Sequence, residues 1–137
     1  MSEPIRKAEF SPGESGRTVI ADTVVAKIAA IAAREIGGVR DVAGGSRVVG
    51  RLRNTIPGGR TDLSAGVSVE VGERQAALDI GLVAYYGTAL HELAVAVRRN
   101  VVAAVERMTG LEVTEVNITV HDVWFEGEDD ETQPRVV

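Results

Sequence analysis

No cysteine occurs anywhere in the 137 residues. Disulfides, thiolate chemistry and cysteine-ligated metal are thereby excluded. Aromatic residues are almost as scarce, at 4%, so any core must be built from Val, Ile, Leu and Ala. No apolar run approaches the roughly 18 residues of a membrane-crossing helix, which argues against direct transmembrane insertion. The opening stretch MSEPIRKAEFSPGESG lacks a hydrophobic signal core. The chain is therefore expected in the cytoplasm, and at a membrane only peripherally, through a partner. Positive charge is in deficit as well: the formal net charge is −5 and the pI about 5.1. A general nucleic-acid binder usually carries a basic stripe, so that class is disfavoured.

Chemistry-bearing motifs are also missing. His91 and His121 are the only histidines, and neither belongs to a His-x-x-x-His or Glu-x-x-His spacing, so a surface or rim role is expected for each. There is no Gly-x-Ser-x-Gly elbow and no phosphate loop ending in Gly-Lys-Ser/Thr. The Gly-x-x-Gly spacing that clamps RNA backbones in K-homology domains occurs only at Gly13 to Gly16, in the N-terminal stretch rather than between helices. Asp79 lies in an apolar strand but on the side opposite Leu78, Ile80 and Leu82, where a solvent-facing carboxylate is expected. No catalytic, cofactor-binding or metal-binding residue can be nominated, and the chain is not expected to be an enzyme.

What is present is a fold pattern. A hydrophobic content of 45% suits one globular domain. Residues 1–16 read as a disordered N-terminal tail and 126–137 as an acidic C-terminal tail. Between them, 17–125 reads as a single α/β domain. Arg17 to Ile20 reads as a short strand or an extended lead-in. A first helix is expected over about 23–36, capped by Asp22, with Val24, Val25, Ile28, Ile31, Ala32 and Ile36 on its apolar side and Gly37-Gly38 ending it. Val39 to Ala43 is a short strand. Val67, Val69 and Val71 alternate with Ser68 and Glu70, and a turn at 72–75 leads into a strand over 76–86. A second helix follows, with Thr88 at the N-cap position. Leu90, Leu93, Val97, Val101, Ala104, Val105 and Met108 form one stripe at period 3.6, and Gly110 ends it. Val116, Ile118 and Val120 then alternate with Asn117, Thr119 and His121 in a final strand.

Helices and strands with one strongly apolar side each are best satisfied by a two-layer α+β (α/β) sandwich. Two helices would cover one face of a small mixed sheet of three to four strands, with an antiparallel hairpin at 67–86. One sheet face is then left without helical cover. Ala77, Val83, Tyr85, Asn117 and Thr119 would lie on it, making it mixed, partly apolar and not strongly charged. Tyr85, Trp124 and Phe125 are the candidate interaction residues at its edge, since aromatics are enriched at interfaces.

The insert at 44–66 breaks this pattern. It holds six glycines, one proline and the arginines Arg47, Arg51, Arg53 and Arg60. A connection of this length in a compact domain is uncommon. It reads as a flexible, solvated segment, and its arginines are the candidate contacts for phosphates, anionic lipid or an acidic protein surface.

Four segments also carry a family resemblance: IADTVVAKIAAIAAREIGGV at 20–39, VSVEVGERQAALDIGLVAYYG at 67–87, ALHELAVAVRRNVVAAVERMTG at 89–110 and LEVTEVNITVHDV at 111–123. Their order, with Tyr-Gly before the second helix and Met-Thr-Gly-Leu after it, resembles the alkaline shock protein family, which includes the Gls general-stress proteins of bacteria. The resemblance implies a non-enzymatic role in cell-envelope homeostasis and stress response. It further implies a homo-oligomer that can be held at the membrane by a small membrane-anchoring protein partner. The alternative from the residues alone is a nucleic-acid or anionic-ligand binding module using the arginine-rich loop 47–60. An enzyme with an unrecognised site comes third.

Overall fold

The computed structural model describes residues 7–10, 15–44 and 65–127. Strand β1 (Lys7–Phe10) pairs antiparallel with β2 (Thr18–Ala21), and so lies within the stretch read from sequence as a tail. Helix α1 (Asp22–Arg34) follows directly, then β3 (Val39–Val42), β4 (Val67–Val71), β5 (Gln75–Tyr85), helix α2 (Leu90–Thr109) and β6 (Glu112–Trp124).

Strands β3 to β6 form one mixed sheet. β6 runs parallel to β5 along its whole length, and the crossover that a parallel pair requires is supplied by α2. On the other edge of β5, two strands lie end to end. β4 pairs antiparallel with residues 76–80 of β5, and β3 pairs antiparallel with 82–84. They behave as one broken strand. The break falls opposite Gly81, whose N–H donates to Gly66 O and whose carbonyl accepts from Ala43 N–H, both at 2.9 Å. The chain therefore leaves the sheet at Ala43 and returns to it at Gly66, both against the same residue of β5. Gly66 has φ of 94°, and a Cβ there would stand 2.7 Å from the Ala43 backbone, so the neck of the insert requires glycine.

Both helices pack on one face of the sheet. Ala76, Leu78, Ile80, Leu82 and Ala84, the alternate residues of β5, are buried beneath them. From α2, Leu93, Val97, Val101 and Val105 are buried. Each of these larger aliphatics contributes on the order of 1.5–3 kcal/mol by leaving water. The expected two-layer arrangement is thus the observed one.

The helices differ from expectation in detail. The buried side of α1 is Val25, Ala26, Ala29, Ala30, Ala32 and Ala33, whereas Val24 and Ile31 are 45% and 44% exposed. The alanines let α1 lie close to α2, and the larger β-branched residues are displaced to the rim. On α2, Leu90 and Met108 at the ends of the stripe are exposed. Neither anticipated cap forms. Ala21 and Ala89 occupy the N-cap positions, with no side-chain cap. Asp22 is instead the first helical residue, where its charge favours the helix dipole. Gly110 does end α2 in the left-handed conformation.

Polar contacts fix the layers. Asn100 on α2 donates to Ala32 O at 2.7 Å and to Glu35 at 3.1 Å, adding a second donor to a last-turn carbonyl of α1 that also accepts from Glu35 N–H. Thr109 bonds Val105 O and accepts from Leu111 N–H, shaping the turn into β6.

Candidate functional site

Among the described residues nothing covers the second face of the sheet, and side chains from β3, β4, β5 and β6 meet there. At one end, Tyr85 and Trp124 stand opposite each other in the β5–β6 register. Their rings meet edge to face, with centroids 5.5 Å apart and planes at 81°. The Arg40 guanidinium, from β3, lies 4.6 Å above the Trp124 ring, a cation–π contact. Tyr86 N–H donates to Trp124 O at 2.7 Å, fixing the chain just past the strand ends. Tyr85 is 39%, Phe125 53% and Tyr86 75% exposed. The three residues nominated from sequence, Tyr85, Trp124 and Phe125, therefore do lie at one end of the sheet. Arg40 and Tyr86 were not nominated. Arg40 reaches the tryptophan only because β3 and β6 flank β5, a juxtaposition that no local pattern encodes.

The middle of the face is tight. A Cβ on Gly81 would collide with Ala43 O and would stand 2.7 Å from two ring atoms of His121. His121 thus lies over Gly81 on the uncovered face and is exposed. A shallow hollow beside it, under the neck of the insert, is lined by Gly44, Gly66, Ser68, Asp79, Thr119 and His121, among others. Two hydroxyls, a carboxylate and an imidazole can hydrogen-bond a small polar group there. His91 is exposed at the start of α2. Among the described residues, no group of three or more His, Asp or Glu could hold a metal ion.

The far end is acidic. Asn117 donates to Asp79 at 3.0 Å and to Glu115 at 2.7 Å, bridging two carboxylates. Ser68 pairs with Asp79 and Glu70 with Ala77 in the ladder, which brings Glu70 to the same face. Asp79 is solvent-facing, as expected. The face as a whole is more strongly charged than the sequence reading allowed, because its carboxylates come from three separate strands. It is polarised, with aromatics and Arg40 at one end and carboxylates at the other.

Arg47, Arg51, Arg53 and Arg60 lie outside the described residues, as does the acidic run beyond Gly127. Among the described residues, no helix is long and apolar enough to cross a membrane.

A model of the alkaline shock protein 23 family, described as having a cell envelope-related function, matches residues 11–125. A Streptococcus pyogenes protein, "Stress response regulator gls24 homolog", is 33% identical over 127 residues, spanning 88% of this chain and 68% of the relative. The Bacillus subtilis protein YqhY is 29% identical over 129 residues, spanning 93% of this chain and 91% of its own. Among solved structures, variants of the C-terminal domain of MamM align over 72% of this chain. Two of them have TM-scores of 0.45 and 0.46 at 15% and 16% identity, covering 94% and 95% of their own chains.

Proposed function

The chain belongs to the alkaline shock protein 23 family, with its cell envelope-related function, and on that premise we propose that it works without catalysis, by association. It assembles with copies of itself and docks on a small membrane-protein partner that holds it at the envelope. The observation that carries this reading is the uncovered sheet face, with Tyr85, Tyr86, Trp124 and Phe125 gathered at one end of it. Exposed aromatic surface next to an arginine has the composition of a protein contact site. On this reading the polar hollow by His121, lined by Ser68, Asp79 and Thr119, serves as a hydrogen-bonding surface.

Sedimentation velocity of the intact chain beside a Tyr85→Glu, Trp124→Glu double variant tests the reading. The intact chain should sediment faster as concentration rises and be recovered with a membrane fraction, and the double variant should lose the membrane recovery and any assembly larger than a dimer. A chain that stays monomeric and never reaches the membrane fraction contradicts it. Salt-dependent retention on an anionic matrix, lost on replacing Arg47, Arg51, Arg53 and Arg60, would point to an anion-binding module in its place.

A further inference from the structure

The longest strand of the sheet, β6, has 13 residues and an outer edge with no strand beside it among the described residues. Gly81 spends both its backbone groups on Ala43 and Gly66. The alternate residues Ile80 and Leu82 therefore turn theirs toward β6. In β6 it follows that Val116, Ile118 and Val120 turn their N–H and C=O groups outward. Arg98 Nε, reaching from α2 to Val116 O at 3.1 Å, agrees with that orientation and leaves the carbonyl a second lone pair. The ladder with β5 slips at both ends, next to Val113 and after Val120, and 115–120 is the regular run between. Long unpaired edges of this kind are templates for another strand.

We infer that two copies of this chain pair antiparallel through the β6 edge, about a two-fold axis at Ile118. This rests on the reading that the chain self-associates, and it names the partner and the register. Side-chain chemistry selects that register. With Ile118 opposite Ile118 of the copy, Val116 faces Val120 on the helix side. On the uncovered face, Asn117 meets Thr119, and the Glu115 carboxylate meets the His121 imidazole. Moving the axis by one residue, to Asn117 or Thr119, sets Glu115 against Thr119 or Val123 and loses the match. The two sheets become one continuous sheet, and their uncovered faces become one surface with an aromatic cluster at each end, a closed two-fold arrangement.

The test exploits the lack of native cysteine. In this register Asn117 and Thr119 of opposite copies form a non-hydrogen-bonded pair, with Cα atoms about 4.5 Å apart, within disulfide range. Both side chains are exposed, so the single variants Asn117→Cys and Thr119→Cys should fold. Each is oxidised mildly alone and then as an equal mixture, with non-reducing electrophoresis as the readout and sedimentation alongside. The mixture should yield a covalent dimer, and each variant alone should stay essentially monomeric on the gel. Dimers in sedimentation without a cross-link specific to the mixture overturn the edge pairing and leave self-association standing. Monomers in sedimentation at all concentrations overturn both.

Discussion

Replacing Gly81 with alanine tests whether the neck of the insert and His121 close over the centre of the sheet. Gly81 is not among the glycines with positive φ, so alanine is conformationally permitted. By narrowing the unfolded ensemble alone it would stabilise by about 0.4–1 kcal/mol. Sterics oppose that gain. The new methyl would overlap Ala43 O and stand 2.7 Å from two atoms of the His121 ring. The exposed ring can swing away. The Ala43 carbonyl cannot move far, because its own residue's N–H is bonded to Gly81 O at 2.9 Å. Overpacking of this kind costs about 1–3 kcal/mol, and a stretched ladder bond adds about 0.5–1.5 kcal/mol. The net expectation is destabilisation by about 1–3 kcal/mol once the entropic gain is subtracted. In urea unfolding, the midpoint should fall with the slope unchanged. In a His121→Ala background the loss should shrink only partly, since the carbonyl overlap remains. A Gly81→Ala variant as stable as the parent would refute the placement of Ala43 against β5.

Three further outcomes follow from the packing. Val97 is fully buried, so Val97→Ala should lower unfolding stability by about 1–3 kcal/mol through lost transfer energy and a cavity. Asn100→Ala removes the two bonds that tie α2 to the end of α1. It should cost about 0.5–1.5 kcal/mol as a lost hydrogen bond, since Ala32 O keeps the Glu35 N–H at 3.3 Å, and amide exchange should rise in the last turn of α1. Met108, 61% exposed despite its place in the apolar stripe, should accept Gln within about 0.5 kcal/mol in thermal or urea melts.

Much of this architecture is legible in the sequence because the signals are periodic. The alternation of Leu78, Ile80 and Leu82, the helical spacing of Leu93, Val97 and Val101, and Gly110 at a helix end each report local geometry directly. On α1 and just past its end, Val25, Ile28, Ala32 and Ile36 pack on the core as the pattern predicts, and Val24 and Ile31 do not. The close approach of α1 to α2 rewards Ala29 and Ala33 instead, a tertiary effect. The end-to-end placement of β3 and β4 on one edge of β5 was invisible for the same reason: pairing across the 44–66 insert is not a local property. Gly81, a glycine in the middle of an apolar strand, was the one available hint of close approach there. Among the candidate contacts, Tyr85 and Trp124 could be found as aromatics at strand ends. The carboxylates Glu70, Asp79 and Glu115 could not be seen as one group until the register joined them.

The measurement that bears most directly on the account uses Trp124, the only tryptophan in the chain. Half-buried against Tyr85 and under Arg40, it reports on the aromatic end of the uncovered face. Acrylamide quenching of its fluorescence should be followed from dilute to concentrated protein, with sedimented mass recorded on the same samples. If assembly beyond an edge-paired dimer covers that face, quenching should weaken as mass rises past that of a dimer, and in the Tyr85→Glu variant mass should stop at the dimer with quenching unchanged. Mass that rises beyond that of a dimer while quenching stays constant would contradict the placement of the contact, and mass that never rises would contradict association itself.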